Sequence, residues 1–209
     1  MTGLLWKQDK VEFPDSRPMA EKRLRCLEKR LMKDPSLYEN VRRQIEEFQH
    51  KGYAHKATME ELAMFSPDRT WYLPIGIVLN PKKPEKVRLV WDAAAKVNGI
   101  SLNSMLLKGP DLLAPLLSVL FQYRQREVAI CSDIKEMFHQ ILIKKEDRSA
   151  QLFLWRNKPE DQIETMVTDV AIFGASYSPA QSQYIKNLIA AEHERKYPAA
   201  EEAIKKTLR

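Results

Sequence analysis

Between Met19 and Lys33 the apolar positions Leu24, Leu27 and Leu31 recur at helical spacing, while Lys22, Arg23, Arg25, Lys29, Arg30 and Lys33 crowd the rest of the surface. This pattern predicts a basic amphipathic helix. Asp34-Pro35-Ser36 breaks it and starts a second helix, with Leu37, Val41, Ile45 and Phe48 on one stripe and Gly52 placed to end it. The result is a helical hairpin. Its basic face suits phosphates, yet charge runs of this kind more often mark a solvated face. Upstream, residues 1–17 show no sustained period and contain Pro14, which predicts an extended arm pinned down by Trp6 and Phe13.

Beyond a polar loop at Ser66-Pro67-Asp68-Arg69 the rhythm changes. Residues Trp71 to Leu79 read as a strand, Asn80 to Lys86 as a hairpin tip, and Val87 to Asp92 as the returning strand. Asn98-Gly99 marks a turn, and Ser101 to Leu106 is short and apolar. Asp111 is placed to cap a helix over Leu112 to Gln125 that is apolar nearly all round, so it is expected to be buried against a sheet. Val128 to Cys131 predicts a short buried strand and Gln140 to Ile143 a second one. Lys144 to Arg148 reads as a turn. Gln151 to Trp155 and Glu164 to Asp169 form a strand pair around the polar tip Asn157 to Asp161. A helix opens after Phe173-Gly174, with Pro179 in its first turn, and runs toward Glu194. A last amphipathic piece covers Ala200 to Leu208. The fold class is α+β.

With 209 residues the chain can bury a sizeable core, and its formal charge of +6 and pI of about 9.2 favour polyanionic partners, nucleic acid first among them. Cys26 and Cys131 lie far apart without a ligand or disulfide pattern, which fits a reducing compartment. No apolar run reaches the length of a membrane span, and the start of the chain lacks a signal-peptide pattern. The expectation is a soluble intracellular protein, cytoplasmic, with no membrane partner and an oligomeric state left open.

Candidate chemistry centres on Asp133, at the mouth of the Val128 to Cys131 run. A carboxylate in that place either meets a cation or substrate that compensates its charge, or caps the next turn. The hairpin tip offers Lys82 and Lys83, with Arg88 on the returning strand. These are a mobile point charge and a planar fork that suit a polyphosphate, or else charges that discourage edge pairing. Gly174 permits close backbone approach by a ligand or another strand.

In their order and separation, the segments Gly3-Leu-Leu-Trp6, Tyr72-Leu-Pro-Ile-Gly-Ile, Lys86-Val-Arg-Leu-Val-Trp-Asp92, Ser101-Leu-Asn, Leu107-Lys-Gly-Pro-Asp-Leu-Leu113, Asp133 to Gln140 and Phe173-Gly-Ala-Ser-Tyr-Ser-Pro179 resemble the reverse transcriptases of LTR retrotransposons. The likeness is strongest to the BEL/Pao class. It implies the fingers and partial palm of a right-hand polymerase, with an antiparallel sheet packed on helices and a helical hairpin before it. The implied division is residues 1–66 for the arm and basic hairpin, 67–126 for a fingers-like β-hairpin and helix, and 127–209 for a partial palm.

The resemblance also implies roles. Asp133 matches the first catalytic carboxylate, a ligand of both ions in a two-metal magnesium site that manganese can also fill, and Ile134 would lend its backbone carbonyl. Such ions, roughly 3.5–4 Å apart, stabilise the attacking and leaving oxygens. Arg88 matches the arginine that grips the incoming deoxynucleoside triphosphate, with Lys82 or Lys83 on its outer phosphates. Phe138 stands at the aromatic gate that rejects a ribose 2′-hydroxyl by a clash; without the resemblance it reads as a core aromatic. Glu136 fixes the local turn or nears the triphosphate, and His139 reads as structural rather than as a general acid. Gly174, Ser178 and Pro179 match the segment that packs on the nascent base pair and template, and Phe173 stands where some relatives carry glutamine. The family's Tyr-x-Asp-Asp hairpin, expected beyond the last helix, does not occur before Arg209. The implied function is a fragment of an RNA-directed DNA polymerase whose parent copies an RNA template from a DNA primer, inactive by itself. The alternative is a non-enzymatic nucleic-acid-binding remnant.

Overall fold

A computed structural model describes residues 1–125 and 127–207, without the side chains of 83–85 and 205–207. Both expected helices of the hairpin are present. Helix α1 (Arg17–Leu31) buries Ala20, Leu24, Leu27 and Leu31. Helix α2 (Pro35–His50) begins where the Asp34 carboxylate accepts the Leu37 N–H at 3.0 Å, with proline at the first helical position. It buries Leu37, Val41, Ile45 and Phe48. Gly52 adopts φ +71°, and the N–H groups of Gly52 and Tyr53 donate back to the carbonyls of Gln49 and Phe48 at 2.9 and 3.0 Å. This Schellman closure turns the chain sharply and aims Lys51 and Tyr53 off the end of α2.

The central sheet runs β1 (Ala54–Lys56), β6 (Glu164–Thr168), β5 (Leu152–Trp155), β2 (Tyr72–Leu73). It is mixed rather than antiparallel throughout, because β2 pairs with β5 in parallel while the other two pairings are antiparallel. The β5–β6 pair was legible in the sequence. The single strand expected from Trp71 to Leu79 is instead two strands in two sheets. Pro74 has no N–H to continue a ladder, so β2 ends there and β3 (Ile75–Asn80) pairs only with β4 (Lys83–Trp91). The Pro74 carbonyl accepts the Asp92 N–H at 2.9 Å, tying the base of this hairpin to the sheet. Strand β1 and helix α3 (Met59–Met64), the latter capped by the Thr58 hydroxyl, fall in a polar stretch without apolar period, and neither was expected.

The amino-terminal arm is built into the body. Asp147, only 6% exposed, accepts the Leu4 N–H and the Trp6 indole N–H, both at 2.8 Å. The Phe13 ring lies 4.9 Å from Trp71. Asp147 sits in a 3-10 helix over Lys145–Gln151 where a plain turn was expected. Its two donors offset the cost of burying a charge.

The largest departures lie between residues 108 and 143. After the short α4 (Leu102–Met105), Asp111 caps only a local turn through the Leu113 N–H, and helix α5 (Leu116–Tyr123) begins after Pro115. It is not buried against a sheet: Leu117 and Phe121 are 69% and 70% exposed. Val128 to Cys131 forms no strand, and Val128 and Ile130 are 77% and 86% exposed. Apolar composition shows that a segment gains from burial but not which surface will bury it, and no described strand pairs with this one. Gln140 to Ile143 contributes isolated bridges, Ile143 to Thr2 and Leu142 to Val170, in place of a strand. Helix α6 (Ser178–Glu192) follows as expected, and α7 (Pro198–Thr207) packs on it and meets α5. No described helix is long and apolar enough to cross a membrane.

Candidate functional site

A cleft of about 580 Å³ opens between the carboxyl end of α2, the β3–β4 hairpin and the turn that carries Asp133. Alternation along β4 fixes one wall: Val87, Leu89 and Trp91 are buried, while Arg88 faces outward opposite Val78. The Arg88 side chain is exposed and has no ion-pair or hydrogen-bond partner among the described residues. Asp133 and Ile134 form the facing rim, both exposed, and Asp133 likewise has no partner there.

Glu136 is fixed more firmly. Its backbone is left-handed at φ +53°, a conformation costing a non-glycine residue about 1–2 kcal/mol. Its carboxylate accepts from Lys51 Nζ at 2.6 Å and from the Tyr53 hydroxyl at 2.8 Å, and Lys51 also pairs with Glu47 at 2.7 Å. The hydrogen bond from Lys51 holds the Glu136 carboxyl below its ordinary range and raises the lysine. Burial, then the bond to Glu136, raises the Tyr53 phenol. The Schellman turn at Gly52 thus locks the Asp133 turn onto α2.

Aromatic rings floor the cleft. Phe138 and Phe173 lie 4.7 Å apart. His139 is enclosed by Phe48 at 5.0 Å, Tyr53 at 5.1 Å and Phe173 at 5.4 Å. Its Nε2 is buried without a hydrogen-bond partner, and burial brings the imidazole down to about 4. A neutral ring fixed in this way fills space, in keeping with its structural reading.

The structure therefore brings Arg88, Asp133, Ile134, Glu136 and Phe138 to one cleft. It does not bring the others there. Lys82 is exposed at the hairpin tip, outside the cleft lining, and the side chain of Lys83 lies outside the described residues. Gly174 has φ +109°, and a Cβ on it would lie 2.0 Å from the Trp91 carbonyl oxygen, so the close approach it permits is that of the chain's own β4. Ser178 is 1% exposed and donates its hydroxyl proton to the Ile172 carbonyl at 2.8 Å. Pro179 borders a separate hollow of about 280 Å³ beside Lys108, Asp111 and Gln183. Lys51, Tyr53 and Asn103 were missed. Asn103 holds the loop after Phe173, donating to the Gly174 carbonyl at 3.0 Å and accepting the Ser176 N–H at 2.8 Å. Only the glycine ending α2 signalled the first two.

Among the described residues no group of three or more His, Cys, Asp or Glu is placed to hold a metal; Glu136 is engaged by Lys51 and Tyr53, and Asp169 is buried between Arg148 and His55. His55 faces Asp169 at 2.7 Å through Nδ1 and Glu61 at 2.9 Å through Nε2. Only an imidazolium donates from both nitrogens. Burial alone would lower this histidine, but the two carboxylates outweigh it and raise it. Neither models of known protein families nor the curated proteins give a match to this chain.

Proposed function

We propose that the cleft is the incoming-nucleotide site of an RNA-directed DNA polymerase of the BEL/Pao class, of which this chain is the fingers and partial palm. What supports the reading is the convergence of Arg88, Asp133, Ile134, Glu136 and Phe138, spread over fifty positions, on one cleft. Arg88 supplies the bidentate cation for a triphosphate, unpaired and open to solvent. Phe138 and Phe173 offer apolar surface for the sugar, and a ring set against the 2′ position selects deoxyribose by exclusion. Lys51 and Tyr53 hold Glu136, and through it the turn bearing Asp133. Magnesium enters only as an ion for which Asp133 and the Ile134 carbonyl are two ligands; the described carboxylates do not complete its site, and polymerisation by these residues alone is not expected.

Calorimetric titration with a deoxynucleoside triphosphate tests the reading. Arg88→Ala should weaken binding about tenfold or more, the worth of a charge-assisted hydrogen bond. Phe138→Ala should let the matching ribonucleotide bind as well as the deoxynucleotide. No binding by the wild-type chain, or equal affinity in Arg88→Ala, overturns it.

A further inference from the structure

Two helices of similar length show their charged faces to solvent, and they do so differently. On α2 charges of both signs stand side by side and most are paired: Arg42 pairs with Glu39 at 2.7 Å and with Glu46 at 2.9 Å, Glu47 pairs with Lys51 just beyond the helix end, and Arg43 bonds to Asn40. On α1 the acidic residues are used elsewhere. Glu28 is buried and forks onto Arg156 at 2.6 and 2.8 Å, and Glu21 holds Arg17. Arg23 is taken by Asp92. Lys22, Arg25, Lys29 and Arg30, with Lys33 in the turn beyond, are exposed and have no ion-pair partner among the described residues.

At about 100° per residue Lys22, Arg25 and Lys29 fall within about 60° of arc, directly opposite the buried Leu24, Leu27 and Leu31, and span about 10 Å of axis. Cations three and four residues apart repel one another, and among the described residues no carboxylate pairs with them. The helix dipole accounts for Lys29 and Arg30 in the last turn but not for Lys22 or Arg25. A merely solvated face would carry mixed signs, as α2 does.

We infer that the outward face of α1 is a docking strip for the phosphate backbone of a nucleic-acid duplex. Spacings of about 4.5–6 Å along the helix axis set these cations against a polyanion carrying one charge per about 1.7 Å of duplex axis. An anionic membrane fits less well, because the apolar face such a helix would insert is already buried in the core. No residue of α1 lines the cleft, so the strip is a second contact region. The inference rests on the nucleic-acid reading above but is measured separately from it.

The test is fluorescence anisotropy of a labelled 20-base-pair duplex titrated with the full chain across a salt series. Each phosphate contact contributes about −0.9 to the slope of log K against log salt. The double variant R25E/K29E, on an exposed face, should lose at least about tenfold in affinity and flatten the slope by about two units. Unchanged affinity and slope in that variant overturn the inference, whatever Arg88→Ala does to triphosphate binding. Phosphatidylserine vesicles form the second arm: vesicle binding that R25E/K29E abolishes, with duplex binding unaffected, assigns the strip to lipid and overturns the proposal equally.

Discussion

Residues 152–155 and 116–131 are both rich in large apolar side chains. In the first, Leu152, Phe153, Leu154 and Trp155 are all 5% exposed or less; in the second, Leu117, Phe121, Val128 and Ile130 are at least 69% exposed. The difference lies in their neighbours. Strand β5 has β6 on one side and β2 on the other, and α1 packs on it. No described strand pairs with the 116–131 stretch, and α5 packs on the end helix α7. Apolar surface of this extent on a protein commonly marks an interaction site or a tendency to associate.

The comparison breaks most sharply at its buried end. Leu152→Ala removes a side chain that is 0% exposed and should cost about 2–5 kcal/mol of unfolding free energy, read as a lower urea midpoint at unchanged m-value. If the cost is under about 1 kcal/mol, the two regions are not packed differently at all.

His139, among the aromatic rings of the cleft, gives a smaller effect that depends on pH. Its folded value of about 4 lies below its ordinary 6.5, so the unfolded chain binds the proton first. Stability is then lost as pH falls from about 6.5 toward about 4, by about 2 kcal/mol after allowing for the part of the ring near solvent. His139→Phe should flatten that limb. His55 has the opposite sign: raised by Asp169 and Glu61, its contribution is present below the ordinary histidine range and is lost as pH rises through its folded value. Urea midpoints of His139→Phe and wild type from pH 4.5 to 8.5 separate the two, and an unchanged acid limb in the variant removes His139 as its cause.

The smallest expected effect on stability belongs to the exposed stretch. Phe121→Ser should change unfolding free energy by no more than about 0.5 kcal/mol while lowering the binding of an apolar dye and the concentration dependence of sedimentation. A cost as large as that of Leu152→Ala shows that Phe121 is packed in solution.

Much of the body was legible because each residue there answers to a local rule. The apolar stripes of α1 and α2, Asp34 as cap, Gly52 as terminator and the alternation in β4 each act within a few residues. The cleft was legible in part. The resemblance pointed to Arg88, Asp133 and Phe138, but the Lys51–Glu136–Tyr53 link joins positions more than eighty apart, and no spacing announces it. The same holds for Asn103, whose partners at Gly174 and Ser176 lie some seventy residues away.

By itself the sequence determined that α1, α2 and α6 are helical, where the β3–β4 and β5–β6 pairs turn, and that α1 presents cations opposite its leucines, because these follow from local periodicity and capping. Only the tertiary structure decided that Pro74 divides one apolar run between two sheets, that β2 joins β5 in parallel, and that Gly174 yields its space to Trp91. It also decided that Val128 to Cys131 stays in water. Periodicity reports that a face gains from burial; the surface that buries it comes from elsewhere in the chain, and the free energy depends on both.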